Sequence, residues 1–486
     1  MSLPQPVPVS LAQSATSGVK WNFASQAGRQ VTQLLTTIVL ARLLVPADFG
    51  LLGMATVVIG FVDLFKDLGT SAAVIQGKEV SDELLSSVFW ANAAFGILGT
   101  LALVAAAPLA AMYYHEPRVT AVLRILALSF AVSGISILQQ ALFERKLAFR
   151  ILAKVEIAGV VCGAVVGIGS AVWGAGVWAL VAQTLATVTV ITILLWYFSQ
   201  WRPRLLFHWQ EIRSISSYSL NLAGFNVFNY FSRNADYLLI GRFLGATPLG
   251  IYTLAYRIML YPLQTITTVI SRVMFPVYSQ LQDDDARFRS AYLRTAGMIA
   301  LITFPMMVGL WVVAKPFVLS VFGTKWALAI PLIKILAPIG MAQSIGATVG
   351  AIYQAKGRTD VMFRWGVASG MAAVAAFAVG LRWGIVGVAT AYAIVTMLVA
   401  VPSFTIPFQY IGLRLSEFAA ALARPLLGSV LMAAVVLIMR TALGVLSDLA
   451  VLEVLVAAGV MTYALASWIV NREQLREAFA LLTNKS

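Results

Sequence analysis

Charged side chains are scarce in this sequence: Asp, Glu, Lys and Arg make up 11% of 486 residues, against about 25% in an ordinary soluble chain. That scarcity excludes a soluble enzyme. Cysteine occurs once, as Cys162 in the apolar run GVVCGAVVG, so neither a disulfide framework nor a Cys-based metal site is expected. Histidine occurs twice, at His115 and His208 in separate interhelical loops, which leaves no cluster with metal-ligand spacing. No cofactor and no metal are expected. Long polar loops are also missing: most connections run under about 20 residues, too little for the catalytic domain and convergent carboxylates of a membrane glycosyltransferase or polymerase. The chain is therefore expected not to be an enzyme. Residues 1–20 are polar, contain proline and a single Lys and have no apolar h-region, which excludes a cleavable signal peptide. The first apolar segment is expected to serve as its own insertion signal.

What fills the chain is apolar sequence, at 60% of residues and a mean hydropathy of +0.87. Windows bounded by charge, Pro or Gly fall at 22–43, 49–66, 85–113, 119–143, 151–172, 176–198, 216–241, 249–279, 292–314, 329–354, 361–381, 384–409, 420–440 and 449–470. These runs are too long for the alternating strands of a transmembrane barrel, so the spans must be helices. The expected fold class is an all-α polytopic membrane protein with about 14 transmembrane helices, 12 being the alternative count.

The net charge of +14 would suggest nucleic acid on a soluble domain, but here the charges lie between apolar runs and are sorted by side. With the N-terminus inside, twenty-one Lys and Arg fall on the cytoplasmic side and nine on the other; the remaining four, Arg29, Arg233, Arg257 and Arg272, lie within apolar windows. The positive-inside rule thus places both termini in the cytoplasm.

The sequence also repeats itself. Ala41-Arg42-Leu43-Leu44 and Phe49-Gly50-Leu51 match Gly241-Arg242-Phe243-Leu244 and Leu249-Gly250-Ile251 at an offset of 200. Arg124-Ile125-Leu126-Ala127 matches Lys334-Ile335-Leu336-Ala337 at 210, and the same shift carries Lys146 onto Lys356 and Trp173-Gly174 onto Trp383-Gly384. Three blocks in one order imply two pseudo-symmetric six-helix lobes in parallel orientation, with a central cavity between them as the natural substrate site. The expected organisation is a cytoplasmic tail over 1–20, an N-lobe over 21–200, a C-lobe over 214–410, two extra helices over 420–470 and a cytoplasmic amphipathic tail over 471–486.

Polar residues stand where lipid should be. In the first window Gln26, Arg29 and Gln33 share one helical face with Asn22, since steps of three and four return to the same side. In 216–241, Asn226, Asn229, Arg233 and Asp236 form a second stripe; in 249–279, Arg257 and Gln264 lie on a third. An arginine at a helix centre costs about 2.5–3.5 kcal/mol on insertion scales, so Arg29, Arg233 and Arg257 exposed to lipid would cost on the order of 10 kcal/mol. They must face water, a carboxylate or a ligand. Two readings stand for Arg233, a ligand contact or a pair with Asp236 one turn away, and the amides either bind a ligand or join helices. Arg29 has no acidic neighbour at helical spacing in its own window. A cavity lined by guanidinium and amides suits an anionic, hydroxyl-rich headgroup. The candidate substrate-binding residues are therefore Arg29, Gln26, Gln33, Asn226, Asn229, Arg233, Arg257 and Gln264, with Asp63 and Asp236 as candidates for ion coupling.

Other features read as structural. Gly159, Gly163 and Gly167 form a small-residue strip for close helix approach. Pro46 and Asp48 start one helix, and Thr247 and Pro248 serve as cap and first-turn proline of another. The run Asp283-Asp284-Asp285 reads as a solvated loop.

The run GVKWNFASQAGRQVTQLLTTIVLARLLVPADFGLLGMA, with DLGTSAAVIQ, SSVFWANAAFG and QQALFERKLAFR after it, resembles the polysaccharide transporter family of the multidrug/oligosaccharidyl-lipid/polysaccharide flippase superfamily, in its exopolysaccharide and O-antigen branch. The likeness is close over the first 150 residues; the rest agrees in span number and repeat. It implies a flippase that moves undecaprenyl-pyrophosphate-linked oligosaccharide units across the bacterial inner membrane by alternating access, with cationic residues such as Arg29 and Arg233 in the cavity. The implied partners are the lipid-linked oligosaccharide, membrane lipids and other polysaccharide-assembly proteins, with no nucleic acid. The two helices beyond twelve resemble the pair that forms a lipid-tail groove in lipid II flippases. An ion-coupled drug exporter of the same superfamily is the alternative, against which the arginines argue.

The orientation is testable by reporter fusion. A phosphatase that is active only outside the cytoplasm should be silent after Ser486 and active in the Trp173–Gly176 turn; the reverse pattern would invert the topology.

Overall fold

The computed structural model describes residues 26, 28–65, 71, 74–75, 80–209, 220–442 and 447–471. The tail expected over 1–20 and nearly all of that over 471–486 lie outside the described residues. Among the described residues there is no strand, as a bilayer demands of a chain whose backbone N–H and C=O groups must be satisfied internally. The helices are α1 (28–43), α2 (Pro46–Asp63), α3 (Asp82–Tyr114), α4 (Arg118–Gly134), α5 (Ile137–Arg145), α6 (Phe149–Val172), α7 (Val177–Phe198), α8 (Leu220–Phe243), α9 (Ala246–Gln280), α10 (Asp285–Phe317), α11 (Ala329–Gly346), α12 (Val349–Ala355), α13 (Thr359–Gly380), α14 (Gly384–Phe408), α15 (Leu415–Ala442) and α16 (Asp448–Val470).

A helix occupies each apolar window, and nine segments among the described residues are long and apolar enough to cross a membrane, ten if α4 and α5, bent by 42°, form one span. α8 and α9 are not among the nine; they carry two of the polar stripes. One segment, Thr359–Ile411, is 53 residues long, about 80 Å of helix against a hydrocarbon core of about 30 Å. It is a hairpin. The turn Leu381–Trp383 is followed by Gly384 at φ 67°, a left-handed conformation that glycine adopts without strain. Gly380 and Gly387 then meet across it so closely that a Cβ on either would fall against the other's carbonyl.

Local chemistry sets the helix starts. The Val45 backbone N–H donates to Asp48 Oδ2 at 3.2 Å, with Pro46 in the first turn. Ser81 and Asp284 accept from the backbone of Leu84 and Arg287 at 3.1 and 3.0 Å; each satisfies one orphan N–H. The acidic run is thus more than solvated surface, because Asp285 also pairs with Lys356 at 2.7 Å. Thr247 is not a cap: α9 begins at Ala246, and the residue before it is Gly245 at φ 91°. In the α3–α4 loop Arg118 donates to both carboxylate oxygens of Glu116, at 2.9 and 3.0 Å, and these bonds hold the Glu116 carboxyl below its usual range.

The repeat is written into the backbone. α1 and α8 end at 43 and 243, and α2 and α9 begin at 46 and 246; Leu44 and Leu244 each donate back four residues at 2.8 Å. At the offset of 210, Ala148 donates to Phe143 and Arg358 to Tyr353, while Leu147 and Gly357 share a left-handed conformation at φ 52° and 64°.

The chain divides into two compact units, 1–250 and 251–486. In the first, α8 is tied to α2 by Tyr230, whose hydroxyl donates to the Val57 carbonyl at 2.6 Å. The starts of α2 and α9 cross at glycine: a Cβ on Gly50 would strike the Ala246 carbonyl, and one on Gly250 the Pro46 carbonyl. Both pairs are related by the offset of 200. α6 lies along α7 through the expected strip, Gly159 against Ile191, Gly163 against Thr187 and Gly167 against Gln183. In the second unit, Tyr278, Phe288, Tyr292, Phe304, Phe408 and Phe418 form an aromatic core, and α15 and α16 join α10 through Val312, Met432, Val436 and Leu455.

The glycine strip makes a stability prediction. Gly163→Leu has no room beside Thr187 Oγ1 and should destabilise the purified protein by about 1–3 kcal/mol, read as a lowered melting temperature in detergent. Gly169→Ala, with nothing within 4 Å of its Cβ position, should change stability by less than about 0.5 kcal/mol.

Candidate functional site

Helix α1 separates its polar groups into two kinds. The hydroxyls of Thr32, Thr36 and Thr37 donate to the carbonyls of Gly28, Thr32 and Gln33 four residues back, at 2.9, 2.7 and 2.7 Å, so they are satisfied within the helix. The longer amides and the guanidinium have no such route and must turn outward. Gln26, Arg29, Gln30 and Gln33 line a cavity of about 170 Å³. All four belong to the α1 stretch, so this is an open recess on one helix face, with room for several waters at about 10–15 Å³ of such space each.

Arg29 is not alone in it. Its Nη1 lies 3.1 Å from Oε2 of Glu156 on α6, and its Nη2 donates to Gln26 Oε1 at 3.5 Å. The two helices meet there, the Cβ position of Gly28 lying 3.6 Å from the Ile157 side chain, an ordinary van der Waals distance. The ion-pair side chains keep 30% and 27% of their surface, so the pair stands at a wet wall and not in a sealed core. A carboxylate so placed neutralises the guanidinium while leaving most of its five donors to other acceptors.

The other expected residues are distributed differently. Asn229 is half-buried and Arg233 exposed on α8. Asp236 is 3% exposed and accepts from the Tyr237 backbone at 2.9 Å. Among the described residues no ion pair joins Arg233 to Asp236, so the pairing one turn apart is not formed. Asn234 donates to the Tyr230 carbonyl at 2.8 Å within its own helix. Asp63 is exposed as the last residue of α2. Arg257 is half-buried on α9 in the second unit. The side chains of Asn226 and Gln264 lie outside the described residues. The structure therefore brings together Gln26, Arg29 and Gln33 of the expected set and adds Gln30 and Glu156. Glu156 escaped the sequence reading because its partner sits 127 residues away, where helical spacing says nothing. The signal available was the scarcity of acids in apolar windows, which made each one a candidate counter-ion for Arg29.

Comparison with known proteins bears on the family and the fold. The polysaccharide biosynthesis protein family matches residues 39–331. Among similar proteins, the lipopolysaccharide biosynthesis protein WzxC of Escherichia coli K12 is 29% identical over 82% of this chain and 81% of its own length. The succinoglycan biosynthesis transport protein ExoT of Rhizobium meliloti is 29% identical over 96% of this chain and 95% of its own. In fold, the chain is similar to the lipid II flippase MurJ in an inward closed conformation, at a TM-score of 0.73 and 14% identity over 93% of this chain and 99% of that one. It is also similar to an inward-facing multidrug resistance MATE family transporter of the MOP superfamily, at 0.63 and 16% over 79% and 94%. The all-helical fold is thus similar to that of these two transporters. With a family match that spans more than half of its length, this multi-pass membrane chain belongs to the polysaccharide biosynthesis protein family.

Proposed function

We propose that this protein is a flippase that moves polyprenyl-pyrophosphate-linked oligosaccharide units from the cytoplasmic to the outer leaflet of the bacterial inner membrane by alternating access. The observation that carries the reading is the cavity that Arg29 shares with three glutamines. A diphosphate bearing sugars needs a cation for its phosphoryl oxygens and groups that both donate and accept for its hydroxyls, and this wall offers both. The names of the relatives support a polysaccharide precursor, and the fold is one that flippases use. A drug exporter handling organic cations would need an acidic or aromatic pocket instead, and Arg29 opposes it.

In this reading a sugar headgroup, which hydrocarbon excludes, passes through a polar interior while its prenyl tail stays in lipid. The lobes over 21–200 and 214–410 rock about the headgroup, and both termini face the cytoplasm. Arg233 and Arg257, with Asn226, Asn229 and Gln264, extend the polar path. The apolar faces of α15 and α16, with Leu427, Leu431, Ile438, Val460, Leu465 and Ile469 all more than half exposed, guide the tail. Asp63 and Asp236 are the candidates for a coupled ion.

Arg29→Ala should lower polymer export about 10- to 100-fold at wild-type protein level, the loss of one charge-assisted hydrogen-bond set of about 1.5–3 kcal/mol, with the lipid-linked oligosaccharide accumulating on the cytoplasmic leaflet. Arg29→Lys keeps the charge but not the planar fork and should fall between. Unchanged export in Arg29→Ala would remove the cavity from the transport path.

A further inference from the structure

Glu156 is an acid among cations: Arg150 and Lys154 precede it on α6, yet its carboxylate is engaged 3.1 Å from Arg29 on another helix. The contact of Gly28 with Ile157 seats the two helices against each other at that level. Both charged side chains remain partly exposed, beside a cavity whose other walls are Gln26, Gln30 and Gln33. An ion pair sealed in a core is fixed, whereas one that opens onto a polar recess can exchange a partner. We propose that Glu156 is a resident counter-ion that competes with the substrate for Arg29 and thereby sets the charge specificity of the site. This rests on the reading of the cavity as an anionic-headgroup site.

The competition selects by charge and geometry. A carboxylate presents two oxygens and one charge to the guanidinium fork; a diphosphate presents more oxygens and more charge. A diphosphate therefore displaces Glu156, while a monoanionic or neutral headgroup does not gain enough. Once displaced, the carboxylate stays near the anion and repels it. When the headgroup leaves, Glu156 closes again on Arg29, so rebinding is opposed and the empty site carries no uncompensated charge. An exposed or half-exposed pair of this kind is worth up to about fivefold in an equilibrium constant, which is enough to tune binding without preventing it.

The test uses the purified full chain in detergent with farnesyl diphosphate as probe, and farnesyl monophosphate and farnesol as comparators. Glu156→Gln should tighten farnesyl diphosphate by about fivefold and narrow its advantage over the monophosphate. In an Arg29→Gln background the same change should leave affinity unaltered, because the competitor acts only through Arg29. Should Glu156→Gln fold poorly, Glu156→Asp withdraws the carboxylate by one methylene and should shift affinity in the same direction. If removal of the carboxylate weakens the probe or leaves it unchanged while Arg29→Gln weakens it, the counter-ion proposal is overturned and the anion site stands. Binding that is indifferent to Arg29→Gln would remove the anion site itself, and the proposal with it.

Discussion

A full charge carried into a bilayer has to be met by water, by an opposite charge or by a ligand, and the first helix carries one at Arg29. At a helix centre such a charge costs about 2.5–3.5 kcal/mol to insert; Arg29 stands in the first turn of α1 and keeps 30% of its side-chain surface, and a partly exposed ion pair returns about 0–1 kcal/mol. What the pair does is neutralise the guanidinium beside the polar recess on α1, and the proposed function gives that geometry a use, an anionic headgroup. The same constraint orders the remaining polar groups: threonine hydroxyls fold back onto their own helix, while glutamines, too long to do so, line the cavity with the arginine.

The scaffold around this site depends on close helix contact. Lipid tails are as apolar as leucine, so helices in a bilayer gain little from hiding hydrophobic surface and rely on backbone approach through small residues. Gly159, Gly163 and Gly167 give α6 that approach to α7, and α6 is the helix that presents Glu156. The reciprocal contacts of Gly50 with Ala246 and of Gly250 with Pro46 repeat one piece of geometry in both halves of the sequence. Duplicated backbone bonds at Leu44 and Leu244, and duplicated left-handed residues at Leu147 and Gly357, carry the same register.

Much of this was legible in the sequence because its causes are local. Helix positions followed from apolar length, the repeat from matched blocks, the glycine strip from its spacing, and the polar face of α1 from steps of three and four. What escaped depended on distance in space. Of the two readings that helical spacing left for Arg233, the pair with Asp236 is not formed: Arg233 is exposed, and the buried Asp236 accepts from the Tyr237 backbone among its contacts. The same spacing gave Arg29 no partner, but packing supplied Glu156 from α6. Thr247 has the chemistry of a cap, yet the helix begins at Ala246, after Gly245, two residues earlier than a cap at Thr247 would place it. Asp284 and Asp285 looked like solvated surface because a capping bond and a cation 71 residues away leave no mark in a local charge run.

The central claim is that this chain carries a diphosphate-linked saccharide headgroup across a bilayer. The direct measurement is reconstitution of the purified protein into liposomes containing undecaprenyl-pyrophosphate-linked oligosaccharide, followed by a membrane-impermeant glycosidase added outside. The account predicts that inner-leaflet molecules, protected in protein-free vesicles, become accessible with the wild-type protein and regain most of their protection with Arg29→Ala. Protection in wild-type vesicles equal to that in protein-free vesicles, with the protein folded and inserted, would contradict it.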